Sequence, residues 1–192
     1  MKPLHILSLS IFAASAIFLN ACNSKDPVKE ANAENKQNSD STAKAMLNND
    51  DARFATAAAS GGIMEVELGR ICVDKAMTDK VRAFGKLMVD DHTGINNDLI
   101  ALAASKNLVL PSSMSTKDQD MVNDLKKKTG TDFDKAYISM MVDDHKADIS
   151  DFKKESTDGK DPDISAFASR TLPTLQRHLE EAKIAQDAIN GK

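Results

Sequence analysis

From about residue 50 onward, apolar side chains recur at alternating spacings of three and four, the period of a helix that buries one face. Four long stretches and one short one carry this pattern. The first runs from about Asp50 to Met77, and the second from a cap at Thr78 or Asp79 to about Lys106. The link between them is so short that an antiparallel hairpin is expected. Leu108 to Ser115, with Pro111 and three serines, breaks the pattern, and a short helix follows from about Thr116 to Lys128, closed by Gly130. A third long helix is predicted from Thr131 or Asp132 to about Ser156, and Asp158-Gly159-Lys160-Asp161-Pro162 marks the next turn. The fourth runs from about Asp163 to Asn190 and contains Pro173, which lacks a backbone donor and predicts a kink. No alternating strand pattern appears. The predicted fold is all-α, a four-helix bundle over residues 49–192 with a short extra helix in the crossover between helices two and three.

The first 48 residues follow other patterns. Behind Lys2, an apolar run from Leu4 to Leu19 ends in Leu19-Asn20-Ala21-Cys22, which reads as a secretory signal peptide over residues 1–21 with a lipobox-like end. The run is interrupted by Ser8, Ser10 and Ser15 and stops short of a membrane span. Cys22 is therefore the expected lipidation site, and its acyl chains make the membrane a partner. The protein is expected to be exported and anchored in the cell envelope, at the periplasmic face of the outer membrane. Residues 22–48 are rich in Asn, Lys, Glu, Asp, Ser and Ala with almost no large apolar side chains, the composition of a disordered tether.

Charge and cysteine content narrow the picture. Removal of Lys2 with the signal takes the formal net charge from −4 to −5. The longest basic run is Lys126-Lys127-Lys128, a solvated helix end, so nucleic acid is excluded as a partner. With Cys22 acylated, Cys72 is the remaining thiol and no intramolecular disulfide can form.

Laying each helix on its apolar seam places polar residues where a core is expected. The seam of the first helix holds Phe54, Ala58, Gly61, Glu65, Leu68 and Cys72, and that of the second Val81, Gly85, Met88, His92, Ile95, Leu99 and Leu102, with Asp91 on its flank. The third gives Ile138, Met141, His145, Asp148 and Phe152, with Tyr137 and Asp144 close by. The fourth gives Ile164, Ala168, Thr171, Leu175, His178, Ala182, Ala185 and Ile189. Glu65 and His92 are about equally far from the turn near Thr78, and His145 and His178 flank the second turn at similar distances, so the four are expected near mid-bundle. Met88-Val89-Asp90-Asp91-His92 also recurs as Met141-Val142-Asp143-Asp144-His145, suggesting an old duplication.

Three chemistries fit this set. Neutral imidazoles with a carboxylate are transition-metal ligands, which makes Glu65, His92, His145, Asp148 and His178 candidate ligands for zinc or iron. Copper enters because Met88 and Met141 each lie four residues before a seam histidine. Alternatively, the same residues form a self-satisfied hydrogen-bond network that fixes helix register, leaving a non-catalytic envelope or stress-response interaction module. Acid–base catalysis is the third. No nucleophile supports an enzyme: Cys72 has no basic neighbour on its seam, and Gly61-Gly62 reads as a close helix contact without the strand and Gly-Lys-Ser of a phosphate loop.

Gly62-Ile63-Met64-Glu65-Val66-Glu67-Leu68-Gly69, Phe84-Gly85-Lys86-Leu87-Met88-Val89-Asp90-Asp91-His92, Asp132-Phe133-Asp134-Lys135-Ala136-Tyr137 leading to Met141-Val142-Asp143-Asp144-His145, and Leu172-Pro173-Thr174-Leu175-Gln176-Arg177-His178-Leu179 together resemble the exported, ferritin-like helical family catalogued as domain of unknown function 4142. The resemblance covers about Asp50 to Asn190. It implies a ferritin-like four-helix fold in the periplasm or at the outer membrane, and no established activity. Ferritin di-iron sites use Glu-x-x-His pairs, whereas the residues three before His92, His145 and His178 are Val89, Val142 and Leu175. That departure argues against ferroxidase chemistry and leaves a mononuclear or histidine-rich site.

Overall fold

The computed structural model describes residues 26–41 and 48–191; the signal segment and Cys22 lie outside them. Every regular element of the described residues is a helix: α1 (Pro27–Ser41), α2 (Asn49–Lys75), α3 (Asp79–Lys106), α4 (Thr116–Lys126), α5 (Gly130–Asp158) and α6 (Pro162–Ile189). None of them is long and apolar enough to cross a membrane.

Polar side chains set the helix starts. Asn48, Thr78, Ser115 and Asp161 each accept a hydrogen bond from a backbone N–H in the first turn of α2, α3, α4 and α6, and Pro162 opens α6 where no donor is needed. α3 stops at Asn107, which takes the left-handed conformation with φ of 53°. Gly130, with φ of 59°, opens α5 and does not close α4, which already ends at Lys126. α6 continues unbroken through Pro173.

α2 packs along α3 and α5 along α6, and the two hairpins join where α3 meets α6 and α2 meets α5. Two apolar clusters result. One contains Met64, Leu68, Phe84, Met88, Phe133, Tyr137 and Met141; the other contains Ala52, Leu99, Phe152, Ile164, Phe167 and Leu175. His92 lies between Met88 and Leu99 on α3, His145 between Met141 and Phe152 on α5, and His178 between Leu175 and Ala182 on α6. A polar layer therefore separates the two halves of the core.

Each hairpin turn is tied down by a buried aspartate from the other hairpin. Asp134 of α5 accepts from Met77 N at 3.0 Å and Thr78 N at 2.9 Å, at the α2–α3 turn. Asp51 of α2 accepts from Asp161 N at 2.7 Å and Lys160 N at 3.1 Å, at the α5–α6 turn. Such charge-assisted bonds fix the level of the two hairpins against each other. Close approach of α2 and α3 occurs at Gly69 and Gly85: a Cβ on Gly69 would lie 2.8 Å from Gly85 O, and one on Gly85 2.7 Å from Cys72 Sγ. The contact expected at Gly61-Gly62 is present at Gly62 alone, against the Asn96 side chain.

The expectation of a disordered tether over residues 22–48 fails for α1. This helix lies on α2 and is held by polar groups, which composition alone does not reveal. Asn35 Nδ2 donates to Val109 O at 2.9 Å while Val109 N donates to Asn35 Oδ1 at 2.8 Å. Thr56 Oγ1 donates to Asn32 Oδ1 at 2.8 Å, and Asp26 accepts both from the first turn of α1 and from Thr116 N at the start of α4. Ala31 supplies the buried apolar contact.

Candidate metal centre

The three seam histidines and Glu65 meet in the polar layer. Glu65, His92, His145 and His178 are each at most 2% exposed. Glu65 Oε2 lies 2.8 Å from His92 Nδ1 across the α2–α3 pair. His178 Nδ1 lies 3.2 Å from both His92 Nε2 and His145 Nε2, bringing α3, α5 and α6 to one point.

The outward nitrogen of each ring has a polar partner opposite it. His145 Nδ1 is 3.0 Å from Met141 O, and His178 Nε2 is 2.7 Å from Asp91 Oδ2. A carbonyl oxygen can only accept, so His145 carries its proton on Nδ1, and the Asp91 carboxylate likewise places the His178 proton on Nε2. The inward nitrogens His145 Nε2 and His178 Nδ1 are then lone pairs that face each other, with His92 Nε2 beside them.

Burial keeps the rings neutral. It lowers His92 and His178 to about 4 and His145 to about 3, the neighbouring imidazoles adding to the effect on His145. The carboxylates are displaced the other way. Burial, followed by the charges of Asp144 and Asp118, holds Glu65 well above the usual carboxylate range, and burial raises Asp144 to about 6. Both groups of shifts describe a centre that lacks positive charge.

Geometry fits an ion. Ligand nitrogens on a tetrahedral ion at about 2.0–2.1 Å stand about 3.3 Å apart, close to the 3.2 Å separations here. Glu65 Oε1 is buried without a hydrogen-bond partner and lies 3.5 Å from His145 Nε2, beside the histidine cluster. Glu65, Asp144 and His145 also bring donor atoms within 4.8 Å of one another, as do the three histidines.

Glu65, His92, His145 and His178 are thus brought together as their seams predict. Asp148 is not in either donor group; it lines a small cavity of about 20 Å³ beside Glu65 and His92, and burial with the Glu65 charge raises its pKa strongly. Asp144 takes the nearer place. Asp91 and Asp144 lie on the flanks of their seams, and the signal for them is the recurring Asp-His pair in the two five-residue copies. Arg177 backs Asp91 with an ion pair. Met88 and Met141 are fully buried in the apolar cluster, a core role. Cys72 is buried, donates to Val81 O and is pushed up to about 12 chiefly by burial, so it is not a nucleophile.

No curated protein and no solved structure matches the chain. A family model matches residues 36–184, from within α1 to within α6. The chain belongs to the family described as Domain of unknown function (DUF4142).

Proposed function

We propose that this domain is a ferritin-like four-helix bundle that binds one transition-metal ion through His92, His145 and His178, with Glu65 as fourth donor. The observation that carries this is the 3.2 Å contact between His145 Nε2 and His178 Nδ1. With Met141 O and Asp91 holding the outer protons, two lone pairs face each other, and a purely structural network leaves them repelling. A proton between them would require an imidazolium where burial lowers the pKa to about 3 and 4. A metal ion resolves the conflict, and outer N–H groups engaged by a carbonyl and a carboxylate are the usual support for metal-bound imidazoles.

Three nitrogens and a carboxylate oxygen suit zinc or ferrous iron, with copper as the further candidate. Four protein donors in a closed polar layer support binding over catalysis. The apolar run before Ala21-Cys22 supports the same domain being carried on a lipid anchor in the envelope, at the periplasmic face of the outer membrane. Metal analysis of chelator-stripped protein exposed in turn to Zn(II), Fe(II) and Cu(I) tests the binding. One equivalent retained, with a raised melting temperature, is expected. Substoichiometric metal and an unchanged melting temperature would overturn it in favour of an interaction module with a structural polar core.

A further inference from the structure

A centre whose ligands are at most 2% exposed needs a way in for its ion. An open cleft of about 340 Å³ lies where α2 begins and α5 ends. Its walls carry Asp50, Asp51, Asp148, Asp151, Glu155 and Asp158, against Lys154 and Lys160. Its inner wall is made by Ala58, Asp148 and Phe152. The same three residues line the cavity of about 20 Å³ that touches Glu65 and His92. One layer of side chains therefore separates the cleft from the metal centre.

A second observation points to a cation in the cleft itself. Glu155 lines it, is 8% exposed, and its buried Oε1 has no hydrogen-bond partner. Asp51 differs, since both its oxygens accept from the α5–α6 turn. Burial, then the charges of Asp51, Asp161, Asp50 and Asp158, raises Glu155 to about 7, the mark of a strongly negative enclosure. A further cavity near this region, lined by Ala59, Ile63, Leu99, Ile100 and Leu110, offers a hydrated ion no charge.

We infer that the acidic cleft is the entry vestibule for the metal cation, with Glu155 and then Asp148 as successive carboxylate stations on the path to the three histidines. This rests on the metal-binding reading above. Carboxylate-lined concavities raise the local concentration of cations and accelerate their capture, an effect that salt screens.

Rapid mixing of the full chain with Co(II), followed by visible absorbance, separates the route from the site. Asp151→Lys together with Asp158→Lys alters exposed rim residues outside the centre. Loading about ten-fold slower at low salt is expected, with unchanged final absorbance and stoichiometry, and with the difference shrinking as salt is added. Glu180→Lys with Glu181→Lys makes the same charge change on exposed positions beyond His178 and should leave the rate unchanged. Equal rates for the rim variant and the unaltered protein, or equal slowing by both variants, would overturn the vestibule while leaving the site intact. Failure of the unaltered protein to take up Co(II) would overturn the metal reading and the vestibule with it.

Discussion

Asp91 Oδ2 and His178 Nε2 stand 2.7 Å apart, joining α3 to α6 on the outer side of the candidate metal centre. The bond fixes which nitrogen of His178 is protonated, and so leaves Nδ1 free to face His92 and His145. Arg177 holds the same carboxylate from the solvent side.

Asp91→Ala is therefore expected to weaken metal binding about 10- to 100-fold, the usual cost of losing an outer-shell carboxylate. Arg177→Ala, at a half-exposed side chain, should change affinity far less. Competition against a chromophoric chelator measures both. An Asp91→Ala affinity equal to the parent's would mean that the Asp91 contact does not organise the centre.

The pH dependence follows from the direction of the shifts. His145 falls from 6.5 unfolded to about 3 folded, so between those values the unfolded chain binds the extra proton. Its contribution to stability is complete above pH 6.5 and is lost as the pH falls toward 3. Asp144, raised from 3.8 to about 6, acts oppositely, since the folded chain keeps a proton that the unfolded chain releases as the pH rises through that interval. For metal-free protein, His145→Gln should remove about 2 kcal/mol of the stability lost between pH 7 and pH 5. Urea unfolding of parent and variant at the two pH values reads this directly; parallel losses would show that His145 titrates normally.

The sequence reveals the helices and the inward histidines for the same reason: period and facing are local properties of a helix. Glu65 and His92 meet because both lie at equal distance from a short turn, which is again countable along the chain. Asp144 and Asp91 sit on the flank of a seam, so their roles depend on how α3, α5 and α6 rotate against one another and are not countable along the chain. Asp148 shares the His145 seam yet sits beyond the donor groups, because facing does not fix depth. α1 escapes composition because it docks by hydrogen bonds made by the side chains of Asn32, which accepts from Thr56, and Asn35, which donates to Val109 O, and not by apolar area. Asp51 and Asp134, which set the level of the hairpins, act on backbone groups of distant turns and leave no periodic trace.

Glycines on α3 separate packing from helix propensity. Gly94 is exposed with nothing within 4 Å of an added Cβ, so Gly94→Ala should stabilise the protein by about 0.5–1 kcal/mol through the backbone alone. At Gly85 the new Cβ would meet Cys72 Sγ at 2.7 Å and Gly69 O at 3.1 Å, and the backbone oxygen cannot rotate away. Gly85→Ala should therefore cost about 1–3 kcal/mol by forcing α2 and α3 apart. The Glu65–His92 contact of 2.8 Å spans that same pair of helices, so the separation should also weaken metal binding in this variant and not in Gly94→Ala. Thermal melts with and without metal distinguish the two effects. A Gly85→Ala protein that melts like the parent would show that the α2–α3 spacing is set elsewhere than at Gly69 and Gly85.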